Sequence, residues 1–165
     1  MPALEAGVRA PEINLSLADG RKFSLSQALK KGPVVAAFFK VSCPVCQLAL
    51  PYLERIHKAY RSGGKFTFLG VSQDNAADTE AFNRQFGVTF PVLLEEKGYA
   101  VSNAYGLTNV PTVFMISPAG EIEFSSVSWS KAEMQELNRK LAKLNNTAPA
   151  AIFAAGEQVP EFKPG

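Results

Sequence analysis

Two cysteines stand three positions apart in Cys43-Pro44-Val45-Cys46, and they are the only cysteines in the 165-residue chain. A dithiol at this spacing can close into a disulfide and reopen, carrying two electrons each time. The reactive species is the thiolate, which a free thiol forms only sparingly at neutral pH, so its surroundings must favour the anion. A helix beginning at Pro44 does this. Its first turn offers unpaired backbone N–H groups and the positive end of the helix dipole. Proline suits that first helical position, with φ fixed and no N–H to leave unpaired. Cys43, at the helix cap, is therefore expected to be the attacking thiol of lower pKa. Cys46, one turn further in, is expected to resolve the mixed disulfide that the attack forms. Lys40, three residues ahead of Cys43, is a candidate stabiliser of the thiolate charge.

The same residues make a poor metal site. Zinc takes four ligands, and the chain has no third cysteine and a single histidine, His57. His57 falls in the middle of the helix that follows the dithiol and reads as a surface or packing residue. No metal is expected, and no cofactor other than the Cys43–Cys46 disulfide itself.

The elements that must position the dithiol are legible on both sides of it. Val34 to Phe39 is a continuous apolar run, the pattern of a central strand buried on both faces. From Pro44 onward, Leu48, Tyr52, Leu53, Ile56 and Tyr60 recur at helical spacing. Pro51 lies inside that helix and is expected to kink it, and Gly63-Gly64 ends it. Upstream, alternating residues around Asp19-Gly20 predict a hairpin, and Ser26 to Leu29 a helical turn. Downstream, Phe66–Val71, Phe90–Leu94, Val113–Ile116 and Ile122–Phe124 read as strands. Helices are expected after Asn75 or Asp78, over Tyr99–Tyr105, and from a Ser130/Glu133 capping box onward. Strands alternating with helices predict an α/β fold finished by an antiparallel hairpin and a helix. The tail, Asn146 to Gly165, reads equally as packing Ile152, Phe153 and Phe162 on the body or as a loose end.

Composition limits the function classes. The chain is 47% apolar and 19% charged, with a net charge of +2. One domain over residues 1–165 is expected, with its core over about 10–144. No long basic run argues for nucleic acid or a membrane surface. Met1 to Ala10 has no apolar signal-peptide region. As written, the sequence predicts a cytoplasmic protein, or an extracytoplasmic one if an export signal has been removed.

Four features together resemble the thioredoxin-like superfamily, in its redoxin branch of thiol-disulfide oxidoreductases and AhpC/TSA peroxiredoxin relatives. Ala10-Pro11 and the Asp19-Gly20 hairpin resemble that branch's N-terminal extension. The strand Val34–Phe39 runs into the Cys43/Cys46 motif. Pro51, five residues after Cys46, matches the family's helix proline. Val110-Pro111-Thr112, ahead of Val113–Ile116, resembles its cis-proline loop. The resemblance implies a central mixed sheet flanked by helices, with a hairpin extension and a helix and strand inserted over Asp74–Leu94. It also implies a cis Pro111 facing the dithiol. The substrate would then be held by Pro44, Val45, Val110, Pro111 and Thr112, the Val110 backbone pairing with an extended segment.

The chain departs from the family at informative places. Ser42 stands where thioredoxins carry tryptophan. Ala37 and Ala49 stand where a buried carboxylate is usual, leaving Glu95, Glu96 or water to move the proton. The expected activity is reduction of a disulfide-containing protein or small thiol substrate, with a thioredoxin or thiol as electron donor. Two alternatives remain open. One is a thiol peroxidase with Cys43 peroxidatic and Cys46 resolving, although Ala36 and Lys40 replace the peroxiredoxin Pro and Thr. The other is a copper-binding assembly module. Either a monomer or a homodimer is compatible with the sequence. Val45, Val110 and Trp129 are candidates for an apolar docking patch, with core packing the alternative for Trp129.

Overall fold

The computed structural model describes residues 3–95 and 98–165. Its organising strand is β3 (Val34–Phe39), all six residues of which are buried. Alternation along β3 divides the core. Val35, Ala37 and Phe39 face one side of the sheet, and Val34, Ala36 and Phe38 face the other. Both faces are covered, which explains the unbroken apolar run in the sequence.

Seven strands form one mixed sheet in the order β2-β1-β5-β4-β3-β6-β7. β1 (Asn14–Leu17) and β2 (Lys22–Ser24) form the expected hairpin. β4 (Thr67–Ser72) and β5 (Val92–Leu94) extend the sheet from β3 in parallel, and β1 closes antiparallel on β5. On the other side, β6 (Thr112–Ile116) and β7 (Ile122–Val127) add antiparallel. Gly70 sits in β4 where a Cβ would press Phe39, Phe90 and Val92 at 3.1–3.2 Å, so the sheet's packing there uses the missing side chain.

Helices cover the two faces unequally. α2 (Pro44–Tyr60) and α5 (Lys131–Leu144) bury Leu50, Leu53, Ile56, Leu137 and Leu141 against the Val35 side. Each such side chain contributes about 1.5–3 kcal/mol by leaving water. α2 runs continuously through Pro51. The opposite face is closed by Ile13, by Leu25 of the short α1 (Leu25–Ala28), and by Tyr105 just after α4 (Ala100–Ala104). The inserted α3 (Ala76–Phe86) is capped by the Asn75 side chain, which accepts from Asp78 N. The capping box expected before α5 forms by half. Ser130 accepts from Glu133 N, but the Glu133 carboxylate accepts from Ser126 Oγ instead of turning back. No helix among the described residues is long and apolar enough to cross a membrane.

His57 packs between Phe68 and Phe90, and burial pushes its pKa down. Its neighbour Glu54 accepts from Thr89 N, Thr89 Oγ1 and Phe90 N, tying α2 to the approach of β5.

The tail packs on the body. Ile152 is buried, and Asn138 Nδ2 donates to Ala150 O at 2.9 Å. Trp129 is fully buried against Tyr52 and Phe153, and its indole N–H donates to Pro160 O at 2.7 Å. Trp129 is therefore core, not part of an exposed docking patch. Beyond it, β8 (Trp129–Ser130) pairs antiparallel with β9 (Phe162–Lys163). Glu157 is the tail's polar fastening. It accepts from both terminal nitrogens of Arg55, at 2.8 and 2.9 Å, and from Tyr52 Oη at 3.0 Å.

Arg55, helped by Ala154 N and Tyr52, holds the Glu157 carboxyl at about 2, below its ordinary 4.5. A carboxyl held lower in the folded state contributes stability that is complete above 4.5 and lost as pH falls toward 2. Glu157→Gln is therefore expected to melt below the unaltered chain at neutral pH. The gap should close on acidification through that window, in thermal melts followed by circular dichroism.

Candidate active site

β3 ends at Phe39, and its parallel neighbour β4 ends opposite it, Phe39 pairing with Ser72. The chain then crosses from Lys40 to Cys43, with Cys43 N donating to Lys40 O at 3.3 Å. Asp74, just past the end of β4, reaches across, and its Oδ2 accepts the Val41 N–H at 2.8 Å. Gln47 Nε2 donates to Val41 O at 3.0 Å from the other side. Both main-chain groups of Val41 are thus held by side chains, which fixes the approach to the dithiol.

Cys43 is the N-cap of α2, in extended conformation, with Pro44 at the start of the helix. Its sulfur takes the place usually filled by a Ser or Asp oxygen, accepting the Cys46 N–H at 3.2 Å. The Cys43 thiol donates to Val110 O at 3.4 Å. Cys43 is partly exposed, Cys46 is 0% exposed, and both are free thiols. Burial, then the neighbouring Cys43, pushes the Cys46 thiol far up. Ala37 and Ala49 share the apolar cluster around Cys46, so the positions where a carboxylate is usual contribute methyl groups.

The carboxylates expected to replace them are placed as follows. Glu95 accepts from Ser102 N and Ser102 Oγ and is spent on α4. Glu96 lies outside the described residues. Asp74, which the sequence reading passed over, is close enough for its charge to add to the upward shift of Cys46. Register was the signal that identifies it. With Phe39 opposite Ser72, a residue two beyond Ser72 falls beside Val41. That pairing is not readable from one sequence.

The other predicted residues gather at the same end of the sheet. The Val110–Pro111 peptide is cis. Val110 and Val45 are half-buried and pack on the Cys46 cluster, and Pro44 is exposed. Pro111 and Thr112 are buried. Thr112 Oγ1 donates to Asn109 O at 2.8 Å, shaping the loop from beneath. Lys40 is exposed, and among the described residues its ammonium forms no ion pair. Among the described residues no three His, Cys, Asp or Glu side chains gather to hold a metal ion.

Comparison with known proteins agrees with this fold. The model of the AhpC/TSA family matches residues 6–125. The thiol-disulfide oxidoreductase ResA of Geobacillus thermodenitrificans is 30% identical over 121 residues, covering 73% of this chain and 68% of its own. The thioredoxin-like protein YneN of Bacillus subtilis is 28% identical over 138 residues, covering 81% of this chain and 78% of its own. A solved thiol:disulfide interchange protein from a Bacteroides species superposes with a TM-score of 0.73 at 24% identity, over 88% of this chain and 93% of that one. A thiol:disulfide interchange protein of the thioredoxin family from Chlorobium tepidum does so at 0.67 and 25%, over 88% and 99%. The fold is thioredoxin-like, in the redoxin branch, and the named relatives support an oxidoreductase role.

The two thiols should differ sharply in reactivity. Iodoacetamide at neutral pH is expected to label Cys43 alone in the reduced folded chain, and Cys46 only after unfolding, as read by peptide mass spectrometry.

Proposed function

The chain belongs to the AhpC/TSA family, and from that premise we propose that it reduces disulfides in polypeptide substrates through Cys43 and Cys46. The observation that carries the reading is the asymmetry of the two thiols on one helix turn. One is partly exposed at the helix cap, and the other is sealed beneath it.

The reaction follows from that asymmetry. The Cys43 thiolate attacks one sulfur of the substrate disulfide, and the other substrate sulfur leaves as a thiolate that takes a proton. Cys46 then loses its proton and attacks Cys43 Sγ. This closes Cys43–Cys46 and releases the second substrate thiol. The dithiol has lost two electrons and the substrate has gained them. An external thiol donor restores the dithiol by the reverse exchange. Cap geometry assists the first step, because the Cys46 N–H already points at the sulfur that carries the charge. Val110 supplies main-chain groups beside the attacking sulfur, where an extended substrate segment can pair.

Insulin reduction by dithiothreitol tests the proposal directly. The unaltered chain is expected to accelerate it, and Cys43→Ser to abolish the acceleration. Cys46→Ala should accumulate the mixed disulfide on Cys43, seen as an added mass on the intact chain. An unchanged rate in Cys43→Ser would refute the reading. Hydrogen peroxide consumption without any disulfide substrate would replace it with the peroxidase reading.

Resolution should also depend steeply on pH. Burial is the largest cause of the raised Cys46 pKa, and it is separate from the contribution of the free Cys43 thiol. Only the deprotonated fraction attacks, so the rate of resolution is expected to rise about tenfold per pH unit across the neutral range. Stopped-flow release of the second substrate thiol measures it.

A further inference from the structure

The tail does not stop at β9. Past Lys163, the chain runs on to the loop that carries the cis Pro111. Gly165 N donates to Ser128 Oγ at 3.0 Å, and Asn109 Nδ2 donates to Gly165 O at 2.8 Å. Two side chains thus read one residue's backbone, one accepting its N–H and the other donating to its carbonyl. Both are braced for the task. Ser128 is buried to 8% exposure, and its N donates to Pro111 O at 2.8 Å. Thr108 Oγ1 donates to Asn109 Oδ1 at 2.7 Å, which turns the amide nitrogen outward. Thr112 fixes the Asn109 carbonyl from below.

The occupant lies directly on Val110. A Cβ on Gly165 would collide with the Val110 carbonyl oxygen, the same oxygen that accepts from the Cys43 thiol. A polypeptide approaching Cys43 along this backbone therefore meets residues 164–165 first. The rest of the tail needs no anchor here, since Ile152, Glu157, the Pro160 carbonyl and β9 already hold it.

We infer that Asn109 and Ser128 form a backbone-gripping subsite for an extended peptide disulfide beside Cys43, and that Pro164–Gly165 occupy it until such a peptide displaces them. The inference rests on the proposed dithiol exchange and adds residues to the substrate site that the sequence reading did not name. The subsite takes a peptide residue whose side chain is absent or turned away from Val110. The tail acts as a tethered competitor for it.

The test uses Cys46→Ala, so that Cys43 reacts once and stops. Two probes are compared: 5,5′-dithiobis(2-nitrobenzoate), and a Gly-Gly-Cys-Gly-Gly peptide carried as its mixed disulfide with thionitrobenzoate. In both cases the Cys43 thiolate displaces thionitrobenzoate, whose absorbance gives the rate. The ratio of peptide rate to small-probe rate isolates peptide recognition. Removing Pro164–Gly165 is expected to raise that ratio about tenfold, the factor for a subsite that the tail fills about nine-tenths of the time. Gly165→Leu in the unshortened chain should raise it similarly by evicting residues 164–165. Asn109→Ala added to the shortened chain should lower the ratio about fivefold, as expected for one lost hydrogen bond, without moving the Cys43/Cys46 redox potential in the corresponding two-cysteine chain. An unchanged ratio on shortening, or one in the shortened chain that ignores Asn109→Ala, overturns the inference. Failure of the dithiol reading is seen separately, as a small-probe rate no faster than that of free cysteine.

Discussion

The hydrogen bond from Cys46 N–H to Cys43 Sγ is the contact on which the site depends. A helix start must satisfy its free N–H groups, and a capping side chain is typically worth about 1 kcal/mol. Here the cap is a sulfur, so the group that completes the helix is also the group proposed to react. The requirement then spreads outward. Pro44 can open the helix because no N–H is needed at that position. β3 must deliver the chain at the helix axis, and the Val41 clamp by Asp74 and Gln47 holds the crossing at its length. Val110 O fixes the other side of the sulfur.

The second cysteine is shaped by an opposite demand. Cys46 lies among Ala37, Ala49, Leu50 and Phe39, and an anion there has little to solvate it. Among the described residues the buried carboxylates do not help. Glu54 is committed to Thr89 and Phe90, and Glu95 to Ser102. Asp74 adds negative charge near Cys46, which opposes its ionisation further. The pair thus combines a partly exposed thiol at the helix cap with one kept neutral by burial. In the proposed exchange such an arrangement slows resolution relative to attack.

Much of this was legible in the sequence because the governing patterns are local. The apolar run Val34–Phe39 identified the central strand, the Pro44 start identified the cap, and the Asp19-Gly20 turn identified the hairpin. The mixed central sheet came from resemblance rather than periodicity, and its strand order was not foreseen. What escaped was set by distance in space. Asp74 meets Val41 only through the β3–β4 register. Glu133 answered Ser126 rather than its own cap, because a strand residue lay within reach. The tail's alanines and prolines carry no periodicity, so its fate rested on partners dispersed over the chain: Arg55, Asn138, Trp129 and Asn109.

That dispersal has a consequence for how the protein comes into being. Residues 150–165 are made after every partner they touch, and they touch elements from α2 to β8. Domains generally fold as units, so the body is complete only once residues 150–165 are available to it. Until then Trp129 lacks its carbonyl partner and the Val110 backbone lies open. A newly made chain thus gains the hydrogen bond to its indole and the cover over Val110 only when residues 150–165 dock.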